Sequence, residues 1–146
     1  MKSEYDQTMP CRCLSGKQYE MCCRPFHLGK EPNTALQLMR SRFAAYALNM
    51  PDYIIRTTRP GGPQFFHDTK EWIQKISDFS SRIEFKGLEI LGFQESGFLA
   101  VVTFVAHLIQ DKKDVSFTEK SYFEKVNGQW LYHSGQLSQG RAPNLI

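Results

Sequence analysis

The chain has no apolar run long enough to cross a bilayer. Its longest, Phe98 to Ile109, falls well short of the roughly 20 residues that a membrane helix needs, and it contains Thr103 and His107. The first residues, Lys2 to Thr8, are polar, so no signal peptide is expected and the cytoplasm is the expected compartment. Also missing are a glycine-rich phosphate loop, a nucleophile elbow and a paired-histidine metal site. Basic charge is modest. The formal net charge is +3, whereas a dedicated nucleic-acid binder carries a denser basic stripe. What is present is ample for folding: 146 residues, 41% hydrophobic and 13% aromatic, make one packed domain with a small appendage.

Cysteine occurs in one place only. Cys11, Cys13, Cys22 and Cys23 form two close pairs flanking a short loop. Zinc takes four soft ligands in a tetrahedron with Zn–S near ~2.3 Å. The single residue between Cys11 and Cys13 lets both thiolates reach one ion, and Leu14 to Met21 is long enough to bring the second pair round. Gly16 can supply an unusual backbone angle in that turn. Two disulfides are the competing reading, but neighbouring cysteines bridge each other only with strain, and a reducing compartment disfavours the bond. A structural Zn²⁺ is therefore expected, with His27 in reserve as a ligand. Four thiolates around Zn²⁺ change the net charge by −2, from +3 to roughly +1. Arg12, Lys17 and Arg24 would offset that charge and lower the thiol pKa values.

The run Cys-x-Cys-x-Ser-Gly-Lys-x-Tyr over Cys11 to Tyr19, followed by Cys22-Cys23, resembles the SEC-C motif. That motif is named for the zinc-binding C-terminal tail of SecA, where the last ligand is histidine; here Cys23 stands in its place. The SecA tail contacts the export chaperone SecB and the ribosome, so the resemblance implies a protein contact.

Arg24 to Asn33, with Pro25, Gly29 and Pro32, reads as a linker. Thr34 and Gln37 form a capping-box signature, and Leu36, Met39, Phe43, Tyr46 and Ala47 recur at helical spacing over about residues 35–48. Pro51 fits the first turn of a shorter helix, and Asp68 with Glu71 opens a third whose apolar face is Trp72, Ile73, Ile76 and Phe79. Beyond Ser81 the period becomes two. A strand bent at Gly87, a long strand Phe98 to Ile109, an alternating strand Val115 to Val126 and a last strand Gln129 to Ser134 follow, the last two joined at Asn127-Gly128. Helices first and an antiparallel meander second mean α+β, with helices packed on one face of a curved sheet.

Met39-Arg40-Ser41-Arg42, Gly87-Leu88-Glu89-Ile90, Glu119 with Ser121 and Phe123, and Trp130 with Tyr132 resemble the YchJ-like bacterial family. That resemblance covers nearly the whole chain to about Gly135. It implies a cone of the nuclear transport factor 2 type behind a SEC-C knuckle. The expected division is residues 1–30 for knuckle and linker, 31–135 for the cone and 136–146 for a loose tail. Some relatives carry a second cysteine cluster near the C-terminus; a single metal site is expected here.

On the alternating strand, Val115, Phe117, Glu119, Ser121 and Phe123 share one face, which puts a carboxylate among apolar residues. Arg40 or Arg42 is the expected partner, and only one can point inward because residues two apart on a helix do not share a face. Such a pair is either the polar floor of a cavity or a buried ion pair fixing helix to sheet. Tyr46, Trp72, His107 and Ser121 complete the candidate pocket, with His107 weighed as a base beside Glu119. None of this is a catalytic constellation. The leading expectation is a non-enzymatic binding module whose knuckle contacts a protein and whose cone dimerises or holds a small ligand. An enzyme or ligand-binding cone is the second expectation. Nucleic-acid or ribosome contact through Arg12, Lys17, Arg24 and Lys30 is the third, and it would weaken steeply with salt.

Overall fold

Thr34 opens the first long helix. Its hydroxyl accepts from the Gln37 backbone N–H at 3.1 Å, and the Gln37 side chain accepts from the Thr34 N–H. In this computed structural model, which describes residues 6–142, that helix is α2 (Ala35–Ala47). It follows a one-turn helix, α1 (Arg24–His27), where the sequence led us to expect only linker. Pro25 is the reason: in the first turn its fixed φ favours a helix and no N–H is lost. α3 (Pro51–Arg56) and α4 (Thr69–Arg82) complete the helical layer, and the Asp68 side chain caps α4 by accepting from the Glu71 N–H.

The sheet is antiparallel and runs β1 (Glu84–Ser96), β2 (Leu99–Gln110), β4 (Phe117–Val126), β5 (Gln129–Gln139), with the short β3 (Lys113–Asp114) paired to β2. Asn127 and Gly128 both take positive φ, 52° and 78°, which matches the tight hairpin turn between β4 and β5. β1 carries irregularities at Phe85/Gly87 and Ile90/Gly92, so the break expected at Gly87 is real and a second one follows. These bulges curl the sheet around α2.

Residues 136–142 are not the loose tail their polar sequence led us to expect. β5 continues to Gln139 opposite Phe117, the Gly140 N–H donates to the Ser116 carbonyl, and Arg141 pairs with Glu89 at 2.6 Å. The stretch is polar because Gln136 and Gln139 are exposed, while its backbone is paired with β4. Residues 143–146 lie outside the described part. The outer edge of β5 is paired at Tyr132, whose N–H donates to the Thr57 carbonyl and whose carbonyl accepts from the Arg59 N–H.

The core lies between α2, α3 and the sheet, around Leu38, Tyr53, Ile54, Val102, Phe123 and Trp130. A second, smaller cluster joins Cys11, Cys13, Tyr19 and Cys23 to Ala44 on α2. The knuckle thus sits on the back of the same helix whose other face looks into the cone.

Candidate functional site

The knuckle is built by short-range geometry. The Cys11 N–H donates to the Lys17 carbonyl and the Leu14 N–H to the Cys11 carbonyl, while Pro10 and Gln18 bridge the ends of the loop. Gly16 takes φ 91°, and Leu14 takes φ 64°, a left-handed value that a leucine adopts only under constraint. A 3-10 turn at Tyr19–Met21 then delivers the second pair of thiols. All four sulfurs lie within 4.8 Å of one another. Cys13 and Cys22 are 3.5 Å apart, and Cys22 and Cys23 4.0 Å. A tetrahedron with ~2.3 Å metal–sulfur bonds has edges of about 3.8 Å, so the set fits one ion, and none of the four is in a disulfide. The thiols also polarise one another. Hydrogen bonding from Cys11 lowers Cys13 and brings Cys22 down to about 6, while Cys11 and Cys23, as donors, are pushed up.

His27 is not among the ligands. Its Nε2 is 2.8 Å from the Ser41 carbonyl, which can only accept, so Nδ1 accepts from the Tyr19 hydroxyl. Histidine here fastens the knuckle to α2. Arg40, expected as a candidate for the pocket, serves the knuckle too: its Nη1 donates to the Cys13 carbonyl at 3.2 Å and lies 3.9 Å from the Cys13 sulfur. The guanidinium beside the sulfur cluster is therefore brought in by α2, from outside the local run of Arg12, Lys17 and Arg24.

On the other face of α2 a cavity of about 500 Å³ opens inside the cone. Arg42, Tyr46, Trp72, Glu119 and Ser121 line it; Arg40 and His107 do not. His107 sits on the outer face of β2, 3.6 Å from Glu89 and against Gly87, and cannot serve Glu119 as a base. The expected Glu119–arginine ion pair is absent as well. Arg42 spends Nη1 on the Ile54 carbonyl and the hydroxyl oxygens of Thr57 and Thr58 at 2.8–3.1 Å, and its guanidinium lies 4.5 Å from the centre of the Tyr132 ring. Glu119 Oε2 instead accepts two hydroxyl protons, from Ser121 at 2.7 Å and Tyr132 at 2.8 Å. Burial, together with the Glu119 charge, holds the Tyr132 hydroxyl well above its ordinary pKa, and burial raises Tyr46.

Tyr132 was not a candidate from sequence, nor was Gly135, and one irregularity accounts for both. In the β4–β5 ladder Phe123 faces Tyr132 but Tyr122 faces Ser134, so His133 is an extra residue. The bulge flips the phase of β5, and Gly135 and Leu137 come to lie opposite Ser121 and Glu119. A Cβ on Gly135 would collide with Glu119 Oε2, so the carboxylate occupies space that only glycine leaves. Polar residues facing a curled sheet two positions from a hydroxyl were the available signal.

Among the described residues no helix is long and apolar enough to cross a membrane. Comparison with known proteins gives a consistent picture. Residues 34–135 match the family model described as the YchJ middle domain, nuclear transport factor 2-like. A UPF0225 protein of Actinobacillus succinogenes is 37% identical over 128 residues, covering 86% of this chain and 80% of that one. The solution structure of a SEC-C motif containing protein from Rhodopseudomonas palustris superposes with a TM-score of 0.76 at 34% identity, covering 88% of this chain and 98% of that one. A crystal structure of a SEC-C motif containing protein from Psychrobacter arcticus gives a TM-score of 0.71 at 26% identity over 93% of this chain and 85% of that one. With its cysteine knuckle docked on a cone of this type, the chain belongs to the UPF0225/YchJ family.

Proposed function

We propose that the chain is a non-enzymatic binding module whose knuckle, loaded with zinc at Cys11, Cys13, Cys22 and Cys23, contacts a protein partner. One observation carries this reading. Met9, Leu14, Met21 and Leu28 are exposed, Met21 and Leu28 by 73% and 69%, on a segment with no core of its own. Large apolar side chains left in water around a fixed turn are what a partner surface requires. Arg12, Lys17, Arg24 and Lys30 are interspersed with them along the chain and favour an acidic partner. The SEC-C resemblance points the same way. When bound, zinc supplies a rigid cross-link; the surface itself is made by the chain.

The test is affinity capture with wild type, Cys22→Ser and Met21→Lys. Cys22→Ser removes a metal ligand, whereas Met21→Lys changes only an exposed side chain. A specific partner retained by wild type and released by both variants is the expected result. Retention by both variants contradicts the reading.

A second reading, a small ligand held in the cone, is favoured by the cavity beneath α2. Its volume of about 500 Å³ falls inside the ~300–1,000 Å³ of ordinary ligand pockets. Gln64, Lys75 and Leu137 are exposed residues of its lining, so the space reaches solvent.

A further inference from the structure

We propose that the cone binds an organic amine, with an apolar or aromatic body in the cavity and its ammonium head on Glu119. The inference rests on the second reading above and adds the chemistry of the ligand.

Glu119 is nine-tenths buried and lines the cavity. Its Oε2 is saturated by two hydroxyl donors, but Oε1 has no hydrogen-bond donor among the described residues. Ser121 and Tyr132 have committed their single hydroxyl protons to Oε2, so their remaining capacity is as acceptors. The spot therefore offers three acceptor oxygens. An ammonium group carries three N–H donors and no acceptor, which is the complement.

The walls agree with the floor. Phe43, Tyr46, Trp72, Phe104 and Phe123 present aromatic surface to the same space, which accommodates an apolar body and attracts a cation by its ring faces. Two cationic groups line the space: Lys75, exposed and with its ammonium over the Phe66 ring, and Arg42. The Arg42 Nη1 is taken up by three protein oxygens and its plane by Tyr132, while an incoming carboxylate would also meet the charge of Glu119. Gly135 completes the design of the floor, since a side chain there would evict the carboxylate.

Calorimetric titration of the full metal-loaded chain with three probes of one shape tests this: tryptamine, 3-ethylindole and indole-3-propionate. A charge-assisted hydrogen bond in a buried site makes tryptamine at least about tenfold tighter than 3-ethylindole, with the acid weakest. Glu119→Gln, which keeps the size of the side chain, brings tryptamine to the level of 3-ethylindole. Gly135→Ala, whose added carbon would displace the carboxylate, also removes the preference for tryptamine over 3-ethylindole. Equal binding of all three probes, or preference for the acid, overturns the amine assignment while the cavity remains a binding site. Binding of none overturns the cavity reading along with it.

Discussion

Between Met9 and Leu28 the chain buries Cys11, Cys13, Cys23, Tyr19 and His27 and little else, whereas the cone buries Trp130, Tyr53, Phe123, Leu38 and Ile54 almost completely. A segment of that size cannot assemble a hydrophobic core, and the four close thiols at its centre are placed where a metal could cross-link it instead. The cone has apolar area to spare, and spends it unevenly. One side of α2 is packed tight, while the other is left open over Glu119. Clustered ligand side chains and an apolar core are alternative ways of fixing a backbone, and here only the second leaves room for a cavity.

The largest expected effect separates the two regions outright. Structural zinc contributes on the order of ~10 kcal/mol to a small fold. Chelation should therefore erase the knuckle's amide signals in a heteronuclear NMR spectrum while the β1, β2, β4 and β5 signals persist. Loss of both sets together would break the comparison.

Next comes the core. Trp130→Ala removes a residue only 1% exposed, whose indole N–H has no partner among the described residues, so the loss is packing together with the ring's contact to the Lys125 ammonium. It should cost about 3–5 kcal/mol in denaturant titration and leave the bound metal unchanged. His27→Ala tests the seam. Without the bonds to Ser41 and Tyr19 the knuckle should loosen from α2 at a cost of about 1–3 kcal/mol, again with metal retained. Loss of metal in that variant would return His27 to the ligand set. Smallest is Thr34→Ala, which removes the cap of α2 for about 1 kcal/mol and affects both regions equally, since α2 carries both.

What could be read in the sequence was what is decided locally. The thiol spacing, the Thr34 capping box, the Asp68 cap and the Asn127-Gly128 hairpin each depend on a few consecutive residues, and each is found where it was expected. The rule that residues two apart on a helix diverge also held, because Arg42 enters the cone and Arg40 does not. Where Arg40 goes instead depends on where the knuckle docks, which no helical periodicity encodes. The same is true of Glu119. Its carboxylate looked in need of a cation, but Tyr132 reaches it across a bulge that alternation along β5 cannot predict. The C-terminal strand was hidden for a related reason: its backbone is paired while its side chains remain in water.

In the proposed loaded knuckle, four sulfurs share one cation. Elemental analysis with native mass spectrometry, on freshly reduced and folded protein supplied with equimolar zinc, measures this directly. One zinc per chain in wild type and none in Cys13→Ser is the predicted result. Folded wild-type protein that takes up no zinc under those conditions would contradict it.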